Sequence, residues 1–218
     1  SVVLLAGAGL LFRSFLQLQS VNTGFTSQQV LTAKLAPSGP QFRKNADVLA
    51  FYDQALAHMR SLPGVQQTAL ISTLPLAKGP STRFRVDGRP ILTPDKWTQA
   101  NLRSVSADYF QTMNIPVVKG RALNDQDNDQ APLRLMVNQA LAEREFPGED
   151  PIGKRLTFGN TDANKQPVWL EIVGVAANVR STELREPAAP ELYVPLRQAV
   201  FNPMSAVIRS SVDPLSLT

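Results

Sequence analysis

The fold is decided by residues 29–74, which read QVLTAKLAPSGPQFRKNADVLAFYDQALAHMRSLPGVQQTALISTL. Residues 29–37 alternate between apolar and polar side chains, which predicts a strand, and residues 65–74 predict a second one. Between them, apolar side chains recur every three or four residues, which predicts a helix that Asn45 caps and Pro63–Gly64 ends. The apolar face of that helix comprises Val48, Leu49, Tyr52, Leu56, Met59 and Leu62. If the two strands are parallel neighbours, the crossover between them should be right-handed.

Further short strands and helices follow this unit and predict a mixed α+β fold. The predicted strands are 83–86, 99–105, 133–137, 169–179, 192–194 and 206–208. Helices are predicted at 107–113, with Ser106 as its cap, and at 139–146, with Asn138 as its cap. We expect the two helices to build one small core, which would contain Phe110, Leu141, Phe146, Ile115 and Val137.

Composition limits the class of protein. The chain has 218 residues, of which 43% are hydrophobic and 18% charged, as expected of one large domain or two small lobes. The net charge is +4, but Lys and Arg are scattered, so the sequence does not favour nucleic-acid binding. The absence of cysteine excludes thiolate metal sites, a cysteine nucleophile and disulfides.

No group of side chains has the pattern of an active site. The one histidine, His58, lies in the predicted helix with no second ligand or base nearby, which favours a surface position. Two pairs of acidic residues, Glu143 with Glu145 and Glu149 with Asp150, are too close in sequence to converge on one substrate, which favours surface charge. The sequence therefore predicts no catalytic, cofactor-binding or metal-binding residues.

Two segments come close to known binding motifs but fail. Residues 124–130, NDQDNDQ, resemble a calcium loop, but Asp129 and Leu135 stand where an EF-hand needs Gly and Glu, so we expect a solvated turn. Residues 148–155 have the glycine spacing of a phosphate-binding loop. However, Arg155 replaces the required Ser or Thr, and a helix rather than a strand is predicted before the loop.

The residue patterns at both ends of the sequence predict helices that would continue beyond residues 1 and 218. Residues 1–12, SVVLLAGAGLLF, are apolar and lead into Arg13 and polar residues, which favours the outer end of a transmembrane helix that continues as a stalk. A buried core helix is the alternative. Asp213–Pro214 has the pattern of a helix start, which suggests a truncated domain.

Several phrases, taken in order, resemble a known family. They are SVSADYF at 104–110, MNIP at 113–116, KGR at 119–121, VNQALA at 137–142, FPGEDPIGKR at 146–155, IVGV at 172–175 and PELYVPL at 190–196. Their order and spacing resemble the periplasmic core domain of ABC transporter permeases of the MacB/FtsX type, and most of all that of the acidobacterial duplicated permeases. The resemblance covers nearly the whole chain.

The resemblance implies a two-lobed α+β fold, in which a porter-like lobe carries an inserted small α/β lobe. The implied division is the end of a transmembrane helix and stalk at 1–24, the first part of the porter-like lobe at 25–78, the inserted lobe at 79–167, and a truncated second part of the porter-like lobe at 168–218.

The resemblance also implies a role without chemistry or cofactors. The domain would lie on the periplasmic side of the bacterial inner membrane and transmit ATP-driven movement for export or envelope mechanotransmission. The lobes would shift against each other or against a partner. Implied partners are an ABC ATPase subunit, a second permease copy, a periplasmic adaptor and, through the N-terminal helix, the membrane. The alternatives are a domain that binds a peptide or lipid in a deep apolar pocket, and a soluble hydrolase-like α/β enzyme.

Overall fold

A computed structural model describes residues 24–90, 93–179 and 187–213 of the chain. The described strands are β1 (Val30–Leu35), β2 (Val65–Ile71), β3 (Ser81–Val86), β4 (Thr98–Val105), β5 (Val117–Gly120), β6 (Arg134–Asn138), β7 (Arg155–Thr157), β8 (Leu170–Ala176), β9 (Glu191–Pro195) and β10 (Met204–Ser210). The described α-helices are α1 (Asn45–Arg60), α2 (Tyr109–Thr112) and α3 (Gln139–Glu145).

The predicted N-terminal helix at 1–12, its stalk and Pro214 lie outside these residues. None of the helices in the described ranges combines the length and hydropathy that crossing a membrane requires.

The described strands form one continuous sheet, and its three-stranded end, made of β1, β10 and β2, is here called the outer sheet. The C-terminal strand β10 lies between β1 and β2 and is antiparallel to both. The predicted strands around α1 are therefore parallel, but they are not neighbours, which corrects the simple crossover considered above. The buried face of α1 lies on one side of the outer sheet, where Val48, Tyr52 and Leu56 pack with Leu70 and Met204.

The helix α1 confirms the apolar spacing but not its predicted cap. Asn45 is already the first helical residue, and Lys44 precedes it without a side-chain capping bond. The carbonyl of Lys44 accepts hydrogen bonds from the backbone N–H groups of Asp47 and Val48, at 3.1 and 3.3 Å. Backbone groups thus begin the helix without the Asn45 side chain.

Six strands close into a ring, here called the barrel. They pair in the order β4, β3, β7, β8, β6 and β9, and β9 pairs back onto β4. The pairs β4–β9 and β6–β8 are parallel, and the other four are antiparallel. The short strand β5 continues along the β8 edge beyond β7.

Two separate apolar clusters lie on opposite sides of the barrel wall. The first fills the barrel and consists of Phe84, Val86, Ala100, Leu135, Val137, Leu141, Phe146, Leu156, Leu170, Ile172, Val175, Leu192 and Val194. The second lies between the barrel, α2 and the outer sheet, and is called the junction core. It consists of Ala69, Ile71, Val105, Tyr109, Phe110, Met113, Ile115, Leu123, Met136, Val173, Ala176, Val179, Tyr193 and Val207.

This arrangement corrects the single small core expected from the sequence. Phe110 and Ile115 belong to the junction core, whereas Val137, Leu141 and Phe146 fill the barrel. The reason is the alternation of side chains along a strand, because consecutive residues of β6 point to opposite faces of the wall.

Of the two predicted helix caps in this region, one is confirmed and one is wrong. The Asn138 Oδ1 accepts a hydrogen bond from Leu141 N–H at 3.0 Å and so caps α3. Ser106 does not cap α2, which begins after Asp108. Its Oγ instead accepts a hydrogen bond from Leu70 N–H at 2.9 Å and links the outer sheet to the end of β4.

The strands of the barrel come from two of the segments proposed above. Strands β3, β4, β6 and β7 lie within 79–167, whereas β8 and β9 lie within 168–218. Strand pairing alone does not say which segments fold as units, so the division of the chain into lobes stays a prediction.

The separation of the two clusters predicts how core substitutions combine. The stability losses of Phe110→Leu and Phe146→Leu should add within about 0.3–0.5 kcal/mol, because the two rings lie in different clusters. Chemical denaturation of both single variants and the double variant measures this. As the matched control, Phe110→Leu with Tyr193→Leu should be coupled by more than about 0.5 kcal/mol, because those ring centroids are 5.1 Å apart. Coupling between Phe110 and Phe146 as large as in the control would contradict two separate clusters and support the single core expected from the sequence.

Candidate functional site: the junction of outer sheet and barrel

The outer sheet joins the barrel through main-chain hydrogen bonds where β2 meets β4. Ile71 pairs with Val105. Just beyond this pair, Ser72 N–H donates to Ser104 O at 2.9 Å, and Ser104 N–H donates to Ser72 Oγ at 3.0 Å. The β-structure is therefore continuous from the outer sheet into the barrel wall.

A buried arginine holds the chain that connects the two parts. Arg103 lies on β4, and its side chain is only 2% exposed. Its Nη1 donates to Thr73 O at 3.2 Å and its Nη2 to Ala77 O at 3.4 Å, both in the connection between β2 and β3. The same guanidinium donates from Nε and Nη2 to Glu191 Oε1 on the neighbouring strand β9, at 3.3 and 3.1 Å. One side chain thus fixes the connection to the barrel wall.

Two tyrosines complete this buried network. The Tyr193 hydroxyl donates to Glu191 Oε2 at 2.5 Å. Burial raises the pKa of Tyr193 well above its usual value, and the negative charge of Glu191 raises it further. Burial likewise raises the pKa of Tyr109, whose ring packs beside that of Tyr193. Both phenols remain protonated at neutral pH, so Tyr193 acts as a hydrogen-bond donor to the carboxylate of Glu191.

A second arginine ties the beginning of the described chain to the same place. Arg209 on β10 donates to Thr112 O in α2 at 2.7 Å, to Thr26 O at 2.9 Å and to Gln28 O at 3.2 Å. Burial lowers the pKa of this guanidinium. The segment before β1 is therefore attached to the outer sheet and to α2.

A narrow cleft separates α1 from the barrel side of the molecule. It has a volume of about 220 Å³. Two exposed ion pairs cross it, Arg60 to Asp108 at 2.5 Å and Arg197 to Asp53 at 2.9 Å. Such exposed pairs are worth about 0–1 kcal/mol each. The charged walls differ from the deep apolar pocket that a peptide or lipid site would need.

Most residues weighed from the sequence lie at the surface. His58 is exposed near the end of α1. Glu149 and Asp150 are exposed and pair with Lys154 and Lys119, at 2.9 and 3.2 Å. The pKa of each carboxyl is lowered, mainly by the hydrogen bond from Lys154 in the first case and by the backbone N–H of Ile152 in the second.

Glu145 corrects the expectation of surface charge. It is buried at the end of α3, where Arg89 and Arg144 contact its carboxylate at 3.2 and 3.0 Å. Thr98 Oγ1 lies 3.5 Å from the same carboxylate. The three donors stabilise the buried charge. Arg89 and Thr98 lie 56 and 47 residues from Glu145, so the sequence pattern does not show this grouping.

Asp127 corrects the expectation that residues 124–130 form a fully solvated turn. Its side chain is 2% exposed, and Arg121 donates to both carboxylate oxygens at 2.7 Å. Burial raises the pKa of Asp127, but the hydrogen bonds from Arg121 and from the backbone N–H of Asn124 outweigh it, so the pKa lies below its usual value. Within 24–90, 93–179 and 187–213, no three His, Cys, Asp or Glu side chains are grouped to hold a metal ion.

The pair of Arg103 and Glu191 is not visible in the local sequence pattern, because 88 residues separate them. Part of a signal was present, since Glu191 begins a strand whose other residues are mostly apolar. Charges are almost never fully buried in proteins unless they are paired. A search for oppositely charged residues in separate buried strands could have proposed the pair.

The sequence matches a known family and two curated relatives. The family is described as the MacB-like periplasmic core domain, and its profile matches residues 1–215. The "Macrolide export ATP-binding/permease protein MacB" of Aggregatibacter actinomycetemcomitans is 22% identical over 158 residues, which are 72% of this chain and 23% of that protein. The uncharacterized ABC transporter permease YvrN of Bacillus subtilis (strain 168) is 25% identical over 128 residues, which are 57% of this chain and 30% of that protein. The chain thus spans less than a third of either relative.

Solved structures share the fold. The periplasmic region of MacB from Actinobacillus actinomycetemcomitans superposes with a TM-score of 0.56 at 18% identity, covering 90% of this chain and 81% of that one. The extracellular domain of the transporter YknZ from Gram-positive bacteria gives a TM-score of 0.50 at 19% identity, covering 73% of each chain. Identities this low are evidence for the fold alone.

The buried pair predicts a large and specific loss of stability. Arg103→Met should cost about 3–5 kcal/mol, because it leaves Glu191 buried without its partner. Urea denaturation measures the loss. Arg197→Met, which breaks the exposed pair with Asp53, is the matched control and should cost at most about 1 kcal/mol. Equal losses in the two variants would contradict the structural role given to Arg103.

Proposed function

The chain belongs to the MacB-like periplasmic core domain family, and we propose that it works as one rigid extracytoplasmic body of an ABC permease. In this proposal, ATP-driven movement of the transmembrane helices displaces the whole body. The body then presses on or releases a partner outside the membrane. Export or envelope mechanotransmission is the proposed context.

One observation carries this proposal: the outer sheet and the barrel share a single apolar core. Ile71 and Val207 of the outer sheet pack in the junction core with Phe110 of α2 and with Val173 and Tyr193 of the barrel. A close-packed interior transmits displacement and has no gap in which its two walls could slide. The junction core therefore supports movement of the whole domain against a partner rather than a shift of one lobe against the other.

The attachment of the segment before β1 also supports movement of the whole domain as one body. Arg209 binds the carbonyl groups of Thr26 and Gln28, and Thr26 N–H donates to Met113 O at 3.1 Å. A pull on the segment before β1 would therefore act on the junction core directly. We propose that this segment connects to the membrane on the periplasmic side of the bacterial inner membrane.

We further propose that the domain performs no reaction of its own. The buried charged groups at the junction are engaged with one another, and burial keeps both phenols protonated. ATP hydrolysis would belong to an ABC ATPase subunit. A second permease copy and a periplasmic adaptor are the proposed partners that receive the movement.

The proposal is tested in the full-length permease, reconstituted in vesicles with its ATPase. One spin-label pair, at Gln54→Cys on α1 and Asp125→Cys on the barrel side, measures distances across the cleft. Both positions are exposed, and residues 1–218 contain no native cysteine. A fluorophore at Glu143→Cys, with acceptor lipids in the bilayer, measures the distance from the domain to the membrane.

On adding ATP, the distance to the membrane should change while the distance across the cleft stays the same. An ATPase variant that cannot hydrolyse ATP but still binds it separates binding from turnover and is the control for the source of the movement. A nucleotide-dependent change across the cleft would show an internal hinge and overturn the rigid body. No change in either distance would overturn the transmission of movement.

A further inference from the structure

A row of aromatic and basic side chains crosses the outside of the barrel. Phe84 and Val86 of β3 point into the barrel, so Arg85 between them points outward. Arg85 pairs with Thr157 of β7. Continuing the strand registers by one residue places Trp97 beside Arg85 and Trp169 beside Thr157.

The guanidinium of Arg85 lies between the two indole rings. Its central carbon is 4.8 Å from the Trp169 ring centroid and 6.0 Å from the Trp97 ring centroid. Arg155 approaches the Trp169 ring at 5.6 Å. Stacking restrains the faces of a guanidinium and leaves its N–H groups directed outward in the plane, where they match both oxygens of a carboxylate.

The row has positive charge that the neighbouring residues do not neutralise. Among the described residues, no carboxylate lies within ion-pair distance of Arg85 or of Arg83, which points outward on the same strand. Asp87 is nearby but pairs with Arg155. Glu145 lines the small cavity beside Arg85 but is already bonded by Arg89 and Arg144.

The side chains of this row are not part of the apolar cluster inside the barrel. The apolar cluster inside is closed by other side chains, and Arg85, Trp97 and Trp169 are half-buried on its outside. Trp and Arg are the residues most enriched in the energetic centres of protein interfaces. Arg83 and Arg85 are two residues apart on one strand, so their spacing matches alternate side chains of another extended chain.

We propose that Trp97, Arg85 and Trp169 form a docking surface for an extended, acidic segment of a partner protein. Carboxylates of the segment bind the free edges of Arg85 and Arg83, and its aliphatic parts cover the indole rings. The inference goes beyond the movement of the domain and does not rest on it, because binding here requires neither ATP nor the membrane.

The two tryptophans provide a local probe, because they are the only two in the chain. An aromatic-free decapeptide of alternating Glu and Thr is titrated into the 218-residue protein while tryptophan fluorescence is recorded. The expected result is saturable binding that weakens with added salt. A decapeptide of alternating Gln and Thr, the matched control ligand, should not bind.

Substitutions then locate the binding. Arg85→Gln should weaken the affinity by at least about tenfold, as expected for a lost charged hydrogen-bond pair. Arg85→Lys keeps the charge but loses the fork and should also weaken binding. Arg43→Gln removes an exposed arginine before α1 and should leave the affinity unchanged. The circular dichroism of each variant shows that it is folded.

Three results would overturn the docking surface. The first is that the acidic peptide does not bind. The second is that Arg43→Gln and Arg85→Gln weaken peptide binding equally. The third is that the protein does not bind the peptide but binds anionic phosphatidylglycerol vesicles tightly, in a way that depends on Arg85. The last would assign the row to a membrane surface. Each result leaves the rigid-body proposal standing, because that proposal is measured by distances within the full permease.

Discussion

The buried ion pair of Arg103 and Glu191 is the interaction on which the rest of the structure depends. Removing both charges from water is costly, and the pair is stable only because further hydrogen bonds satisfy the remaining atoms. Thr73 O, Ala77 O and the Tyr193 hydroxyl supply those bonds. The hydrogen bonds around this one ion pair thus hold β4 against β9, hold the connection between β2 and β3 against β4, and position the Tyr193 ring in the junction core.

A close backbone approach at β8 is the second constraint. β8 pairs with β6 on one edge and with β7 and then β5 on the other. A side chain at Gly174 would meet Arg121 O at 2.1 Å and Met136 Cε at 2.9 Å, so only glycine lets the chain after β5 lie against β8. That approach places Arg121 where it binds Asp127 and holds this one side chain of residues 124–130 inward.

Two local features of this fold could be predicted from sequence, whereas the caps expected at Asn45 and Ser106 and the long-range features could not. The spacing of apolar residues in α1 and the cap at Asn138 depend on neighbours within a few residues, and both were predicted correctly. The placement of β10 between β1 and β2 depends on residues more than 130 positions apart, and nothing in residues 29–74 indicates it. Phe110 and Phe146 were assigned to one core because local pattern does not show on which side of the barrel wall each ring lies.

A rigid body requires that the outer sheet and the barrel open as one cooperative unit. Native-state hydrogen exchange in low denaturant tests this directly, with the amides of Val207 on β10 and Ile172 on β8 as reporters of the two parts. Both amides should exchange with the same free energy and the same denaturant dependence, as expected when only global unfolding exposes them. If Val207 exchanged at lower free energy and with a smaller denaturant dependence than Ile172, the outer sheet would open by itself, and the rigid body would be contradicted.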